Sequence, residues 1–251
     1  MITQFKFTKM KSLKTGMLAF IALVVSIALK AQTVDEIVSK HIDAIGGKDK
    51  VAGVKTLSIE STLEVMGNEA PSTTLIVNGT GYKSETDFNG QKIITCITDK
   101  GGWSLNPMMG QTAPEALPAE QTKASQSQLQ IGGPLFNYVE KGNKVELLGR
   151  EDVGGVSTYK LKCTTKDSVV TTYFIDPNTY YVVKAISSST TPGQEGETIV
   201  TFSDYKKTDF GYVFPMGQQI TLPQGISLNI THKKVEVNKD IDPKVFEMPK
   251  S

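Results

Sequence analysis

The sequence is poor in the residue types on which catalysis and phosphate binding depend. Its 251 residues include two histidines, two cysteines, one tryptophan and a single arginine, Arg150. Five lysines and no acidic residue fall within positions 1–31, so the other 22 basic and 26 acidic residues give the rest of the chain a net charge of −4. Nucleic-acid binding needs a concentrated basic surface. The composition therefore argues against nucleic acid as a partner.

Catalytic and metal-binding motifs are missing as well. The chain has no Gly-x-Ser-x-Gly, His-Glu-x-x-His or paired-cysteine motif. Of the two possible histidine bases, His41 falls on an apolar helical stripe, where a hydrogen-bonded structural histidine is expected. His232 shares strand parity with Lys234 and Glu236, but the apolar phase of that strand slips near His232, which predicts a β-bulge or an exit from the core. We predict no enzyme activity, no cofactor and no metal, with a hydrolase at His232 as an alternative.

Only the N-terminal part of the sequence contains a long apolar run. Residues 17–29 follow a basic stretch and lead to Ala31, which is typical of a secretory signal peptide. The run is shorter than the roughly 20 residues that a membrane-spanning helix needs, and no cysteine for lipid attachment follows it. We expect residues 1–31 to be a signal peptide, with an uncleaved anchor as the alternative. Residues 32–251 are then a single exported domain, periplasmic, with outer-membrane association or secretion left open.

The two cysteines, Cys96 and Cys163, leave two alternatives open. In an exported chain they are able to form one disulfide, which would stabilise the fold by roughly 4 kcal/mol in the chain-entropy estimate. Each falls within a strand-like run, so they pair only if the two strands are neighbours with facing side chains. Two buried thiols acting as small core residues are the other alternative, and the one we favour.

Hydrophobic periodicity predicts one helix followed by many strands. Apolar residues recur at helical spacing over residues 34–45, before Gly46 and Gly47, and a short helical turn over residues 48–54 follows. Strands are predicted over residues 57–65, 82–88, 93–98, 145–149, 156–163, 169–175, 180–187, 198–205, 212–222 and 226–237. Asn89 and Gly90 suit the type I′ turn of a hairpin. The pattern predicts a mainly β fold with few helices (α+β), built on a large antiparallel sheet that curls or closes.

Residues 103–138 interrupt the strand pattern. They combine large apolar side chains with many glutamines and serines, and Pro118 suits the start of a helix running to about Gln130. One interpretation is a cover that lies against the concave side of the sheet. The other is a helix that fills one end of a barrel as ordinary core.

Three segments resemble a known family of envelope proteins. They are residues 34–47 (from VDEIV through AIGG) with 54–59 (VKTLSI), residues 202–207 (FSDYKK) with 211–215 (GYVFP), and the closing residues 242–249 (DPKVFEMP), and they are similar to those of the LolA/LolB-like outer-membrane lipoprotein carriers and receptors. The resemblance implies a large curved antiparallel sheet forming an unclosed β-barrel that wraps one or more helices, with acyl chains held on its concave face. Arg150 follows a different strand from the arginine associated with cavity opening in the carriers, so no functional residue is transferred.

This resemblance leads to a functional expectation. It implies an exported, non-enzymatic binder of lipid or of lipoprotein acyl chains, with transient membrane contact. Aromatic and flexible methionine side chains adapt to irregular apolar ligands. The expected ligand-lining residues are Trp103, Met108, Met109, Leu135 and Phe136, with plain core packing as the alternative for each. The competing interpretation is an envelope interaction module, binding a protein partner, whose barrel is filled by side chains.

Overall fold

A short helical segment precedes a strand-rich remainder, as the change of hydrophobic period predicts. The computed structural model describes residues 32–189 and 196–249, and the predicted signal peptide lies outside the described residues. In the described part, the α-helices are α1 (Val34–Ala44), α2 (Lys48–Gly53) and α3 (Ala119–Ala124). Short 3₁₀ helices span Pro107–Met109, Gln126–Leu129 and Pro243–Phe246. No helix of this part has the length and hydropathy needed to cross a membrane.

The strands of the described residues form one antiparallel sheet. They are β1 (Thr56–Val65), β2 (Asn68–Val77), β3 (Gly81–Phe88), β4 (Gln91–Thr98), β5 (Gly101–Leu105), β6 (Glu115–Ala116), β7 (Lys144–Val153), β8 (Val156–Thr164), β9 (Val170–Ile175), β10 (Val182–Ser189), β11 (Gly196–Lys207), β12 (Val213–Thr221) and β13 (Ser227–Val237). Their order across the sheet is β6-β5-β4-β3-β2-β1-β13-β12-β11-β10-β9-β8-β7. Strands β6 and β7 are the two edges, so the sheet is an unclosed barrel, as expected.

This strand order consists of two meanders joined by one long-range pair. Strands β1–β6 and β7–β13 each follow chain order, and β1 pairs with β13 to connect them. The segment between the meanders, residues 117–143, must therefore run from one edge of the sheet to the other. It holds α3, the 3₁₀ helix Gln126–Leu129 and a series of turns. Most of this segment falls within residues 103–138, the stretch whose sequence shows neither the strand period nor a clean helical face.

Helix α1 packs one side against the sheet and ends at two glycines. Ile37 and Val38 are buried, as are His41 and Ile42 one turn later, which is the spacing of an apolar helical stripe. Gly46, at φ +125°, lies so close to the β11–β12 connection that a Cβ would come within 2.7 Å of the Gly211 carbonyl oxygen. The carbonyl of residue 45 accepts a hydrogen bond from the Val213 amide at 2.9 Å. The glycine thus allows the helix end to be fastened to β12.

The sheet has two faces with separate cores. One face carries Leu57 and Ile76 and contacts α1, and we call it the inner face. Its side chains pack in the main hydrophobic core. The opposite, outer face holds a smaller cluster, in which Cys96 and Trp103 pack with Phe246 of the C-terminal 3₁₀ helix. Both Cys96 and Cys163 are free and buried, which confirms the two-thiol alternative and excludes the disulfide.

Several strand predictions are confirmed, and three strands were missed. The Asn89-Gly90 hairpin is present, with both residues at positive φ. Strand β2 was missed because polar residues and Pro71 obscure its alternation, β5 because it starts with two glycines, and β6 because it has two residues. The helix expected from Pro118 to about Gln130 is shorter: α3 ends at Ala124, and the chain continues as a 3₁₀ helix.

Candidate ligand-binding site

A cavity of about 260 Å³ lies between the inner face and the elements that cover it. Its floor is formed by β1, β2 and β9–β12, and its cover by α1 and residues 130–135. The lining side chains are mostly apolar or aromatic; they include Ile45, Leu57, Ile76, Ile131, Leu135, Tyr173, Val182, Phe202, Tyr205, Tyr212, Val213 and Phe214. Side chains therefore do not fill the inner side completely.

The strand register continues this apolar lining across eight strands. Residues that pair on neighbouring antiparallel strands share a face of the sheet. One such row, which we call the apolar belt, contains Val65, Leu228, Ile220, Val200, Ala185, Tyr173, Leu161 and Leu147 in spatial order. Tyr173 lines the cavity, which places the belt on the inner face. No polar side chain other than the Tyr173 hydroxyl interrupts it.

Burial changes along the apolar belt. At its β8 and β10 positions Leu161 is fully buried and Ala185 nearly so. At the other end Val200, Ile220 and Leu228 are only partly buried. A second row beside the belt, formed by Phe202, Gln218, Ile230, Leu63 and Ala70, joins the cavity to the same region. Apolar surface that is both continuous with a cavity and partly exposed is typical of sites that bind apolar ligands.

The cover is held in place by specific contacts. The buried His41 of α1 donates from Nδ1 to the Tyr180 carbonyl oxygen at 2.9 Å, and burial lowers the pKa of its ring. In residues 130–136, Gly132 packs so tightly that a Cβ would lie 2.6 Å from the Val51 side chain. Leu135 is buried beside it and lines the cavity. The cover is therefore a packed part of the core, tied to both the helix and the sheet.

One pair of polar side chains lies on the inner face beyond the cavity. The hydroxyl of Ser61 and Nδ1 of His232 are 2.7 Å apart, and the His232 ring meets the Phe214 ring edge-on. Burial lowers the pKa of His232 to about 4, so the ring is neutral at about pH 7. Its other nitrogen, Nε2, is buried and has no hydrogen-bond partner within residues 32–189 and 196–249. The expected β-bulge is confirmed here, since the register shifts between Glu60 and Ser61.

The Ser61–His232 pair differs from the triad of a serine hydrolase. In a triad a third group orients the histidine through its other nitrogen, and in the part of the chain that the structure describes no side chain bonds to Nε2 of His232. Lys234 and Glu236, which share strand parity with His232 in sequence, instead form an ion pair with each other at 3.1 Å. Within the described ranges, no three or more histidine, cysteine, aspartate or glutamate side chains are grouped to hold a metal.

Two further cavities have a different character. The larger, about 560 Å³, lies at one end of the sheet and has a mixed lining, in which charged residues such as Lys55, Asp99 and Lys239 alternate with apolar ones such as Val77, Ile241 and Phe246. A smaller one of about 240 Å³ lies between α1 and residues 135–140. We base the candidate site on the 260 Å³ cavity despite its smaller volume, because its walls are mainly apolar and the apolar belt extends from it.

The structure separates the residues expected to line a ligand site. Leu135 lines both the main cavity and the 240 Å³ cavity, and Phe136 lines the latter. Trp103 lies on the outer face, where its indole nitrogen donates to the Phe246 carbonyl oxygen at 2.9 Å. Met108 and Met109 are 65% and 82% exposed on a 3₁₀ turn. Only Leu135 of the five therefore borders the cavity that joins the apolar belt.

None of the eight belt residues was identified from the sequence as ligand-lining. Val65, Val200, Ile220 and Leu228 were assigned to strands, but each strand's alternation alone does not show which residues of distant strands lie side by side. The signal that links them is register across β1, β13, β12 and β11, which is a property of the folded sheet.

Comparisons with known proteins point to one fold. A LolA superfamily protein from Nitrosomonas europaea matches with a TM-score of 0.56 and 13% identity, covering 86% of this chain and 98% of that one. An outer membrane lipoprotein-sorting protein domain from Vibrio parahaemolyticus matches with a TM-score of 0.51 and 16% identity over 84% and 94% of the two chains. The chain has the LolA-type fold. A DUF1329 family protein from Desulfovibrio piger shares it, with a TM-score of 0.51 and 13% identity over 85% and 97%.

Sequence comparison adds no closer relationship. No protein-family model matches the chain, and no curated protein matches it. At these identities the structural matches show the LolA-type fold and no more, so the function is argued from the inner face itself.

Proposed function

We propose that this protein is an exported, non-enzymatic carrier or binder of acyl chains, from lipid or from lipoproteins, in the bacterial cell envelope. The observation that carries the proposal is the apolar belt, which continues from the cavity to partly exposed positions on β11, β12, β13 and β1. Each methylene removed from water contributes about 0.8 kcal/mol. An acyl chain that crosses an aqueous compartment therefore gains most from a continuous apolar surface of this kind.

The dimensions suit a chain that is only partly enclosed. At about 260 Å³ the cavity is slightly smaller than the roughly 300–1,000 Å³ that is usual for small-molecule sites. A long acyl chain extends beyond it, and the belt and its neighbouring row offer the surface on which the remainder lies. The LolA superfamily and lipoprotein-sorting names of the structural neighbours agree with this use of the fold and with a periplasmic location.

The proposal is tested by lipid retention in two variants of one strand. Ile220 lies on the apolar belt, whereas the next residue, Gln219, is exposed on the outer face and hydrogen-bonds to Asn229. Ile220→Glu puts a charge on the belt, and we expect it to lower bound acyl species about tenfold or more, because burial of a carboxylate against a chain is costly. Gln219→Glu is the matched control and retains them.

The measurement is mass spectrometry of lipid extracted from protein purified from the cell envelope, normalised to protein. Circular dichroism checks that both variants are folded. Acyl species bound to wild type and to Gln219→Glu but lost from Ile220→Glu support the proposal. Equal retention by all three proteins, or none in wild type even after incubation with lipid vesicles, contradicts it.

A further inference from the structure

A row of polar side chains crosses the inner face, and on β1 and β13 it lies between two apolar rows. By strand pairing, Thr86, Ser72, Ser61 and His232 lie side by side on β3, β2, β1 and β13; we call them the polar row. Leu63 and Ile230 form the next row on one side, and Ile59 and Val235 the next on the other. Polar groups within an apolar wall cost free energy unless they find partners, so the polar row calls for a physical reason.

The β-bulge is what turns His232 onto this face. Glu60 pairs with Lys234 and Ser61 with His232, so Lys233 is the extra residue of β13. Without that insertion, the alternation that puts Val237 and Val235 on the inner face would continue to Lys233 and turn His232 outward. Bulges re-aim side chains at functional positions. Because of the β-bulge, the neutral imidazole of His232 lies opposite Ser61, where regular alternation would place the side chain of Lys233.

Hydrogen bonding within the polar row is incomplete at one atom. The hydroxyls of Ser72 and Thr86 lie 3.0 Å apart, so one of them donates to the other, and Ser61 reaches Nδ1 of His232 at 2.7 Å. Among the described residues, Nε2 of His232 is shielded from water and has no partner. An unsatisfied buried polar atom of this kind destabilises the fold. His232 as a residue is only partly buried, but Nε2 itself is covered, so a bound molecule reaches this nitrogen only when the side chains that cover it move aside.

We propose that Ser61 and His232 form a subsite for the carbonyl group at the head of a bound acyl chain, whose hydrocarbon lies along the apolar belt. This inference rests on the proposed function and adds a specificity element to it. Ser61 donates its hydroxyl proton to Nδ1, which leaves the ring proton on Nε2, and Nε2–H donates to the carbonyl oxygen of an ester or amide. A neutral ring favours this uncharged carbonyl over a free carboxylate, because burying the carboxylate charge beside the apolar rows is costly.

The test compares an ester with an alkane of equal size. Methyl laurate and pentadecane have the same number of heavy atoms and compete with the apolar dye anilinonaphthalene sulfonate, whose fluorescence reports occupancy of the inner face. The measured quantity is the ratio of their competition constants, with sodium laurate as a third competitor. In wild type the ester gains one hydrogen bond to Nε2, which is worth roughly fivefold to tenfold in affinity when the donor is otherwise unpaired.

Two variants and one control decide the outcome. His232→Phe keeps a ring against Phe214 and removes the donor, so we expect the ester-to-alkane ratio to fall about fivefold while pentadecane still binds. Ser61→Ala removes the hydroxyl that fixes the ring proton on Nε2, and we expect it to lower the ester-to-alkane ratio less than His232→Phe does. Ser72→Ala, in the same polar row but bonded to Thr86, leaves the ratio unchanged. If circular dichroism shows that His232→Phe does not fold, the test relies on the ester-to-alkane ratio of Ser61→Ala compared with that of Ser72→Ala.

The failures of the two proposals are distinguishable. The carbonyl subsite is overturned if His232→Phe and Ser61→Ala show the same ester-to-alkane ratio as wild type while pentadecane still displaces the dye. The proposed function is unaffected by that result. Tighter binding of sodium laurate than of methyl laurate to wild type also overturns the subsite. If none of the competitors displaces the dye from wild type, the proposed function itself is contradicted, and so is the subsite.

Discussion

At the residue scale, the two histidines show how burial sets protonation in this fold. Burial lowers the pKa of both His41 and His232, the latter to about 4. The unfolded chain therefore binds protons between about pH 6.5 and pH 4 that the folded chain does not. Above that pH window the histidines do not lower the stability of the folded protein. As the pH decreases through the window, the free energy of unfolding falls.

We predict that His232→Phe reduces this pH dependence. Urea unfolding of wild type at several pH values between about 7 and 4.5 is expected to show a steady loss of stability, and the variant a shallower one, since one of the two groups no longer takes up a proton on unfolding. The carboxylates with lowered pKa, such as Glu85 and Glu236, contribute equally to both proteins. Parallel curves would show that His232 is not protected from protonation in the folded state.

The cysteines lead to a second prediction at this scale. Burial raises the pKa of both Cys96 and Cys163 to about 11, so neither thiol is ionised or accessible near neutral pH. We expect no reaction of the native protein with a disulfide reagent at about pH 8, and reaction of two thiols after unfolding in urea. Rapid labelling of either thiol in the native protein would contradict the burial of these strands.

Residue-level predictions from sequence were correct where local chemistry decides them. The slip of apolar phase near His232 correctly predicted a bulge, because alternation within one strand is a local property. Trp103 shows the limit: an aromatic residue in a polar stretch suggested a ligand surface, but it packs on the outer face against Phe246. That contact joins residues 143 positions apart in sequence and has no local signal.

At the element scale, the elements with the clearest periodicity and turn chemistry were predicted well. Helix α1 and the Asn89-Gly90 hairpin follow directly from apolar spacing and from a turn that needs positive φ. Strand β2 was missed because its alternate positions carry serine and threonine. Ser72 of that strand belongs to the polar row, so the weak strand signal and the polar row have the same origin.

The cover of the cavity permits a matched test with adjacent glycines. Gly132 and Gly133 both have positive φ, but a Cβ on Gly132 would clash with Val51 and Phe136, whereas one on Gly133 meets nothing within 4 Å. Alanine strains the backbone similarly at both positions, and only Gly132→Ala also displaces the cover. We expect Gly132→Ala to be less stable than Gly133→Ala by about 1–3 kcal/mol in urea unfolding. Equal losses would contradict close packing of the cover.

At the scale of the whole molecule, the fold class and the unclosed barrel were anticipated from strand count and from the family resemblance. The arrangement of the site was not. The apolar belt combines residues from both meanders, and the β1–β13 pair that brings them together links positions more than 160 residues apart in the printed sequence. Register between such strands is decided by the folded sheet, so the ligand-lining residues became visible only with the topology.

The most direct test of the account is to find where an acyl chain lies. A fatty acyl methyl ester with a photoreactive diazirine on its chain is bound to the protein and irradiated, and the labelled residues are mapped by mass spectrometry of peptides. We predict labels on the partly buried inner-face residues Leu63, Val65, Val200, Ile220, Leu228 and Ile230, and competition by methyl laurate. Labels confined to the outer face, or on the exposed Met108 and Met109, would contradict the claim that the inner face of the sheet holds the chain.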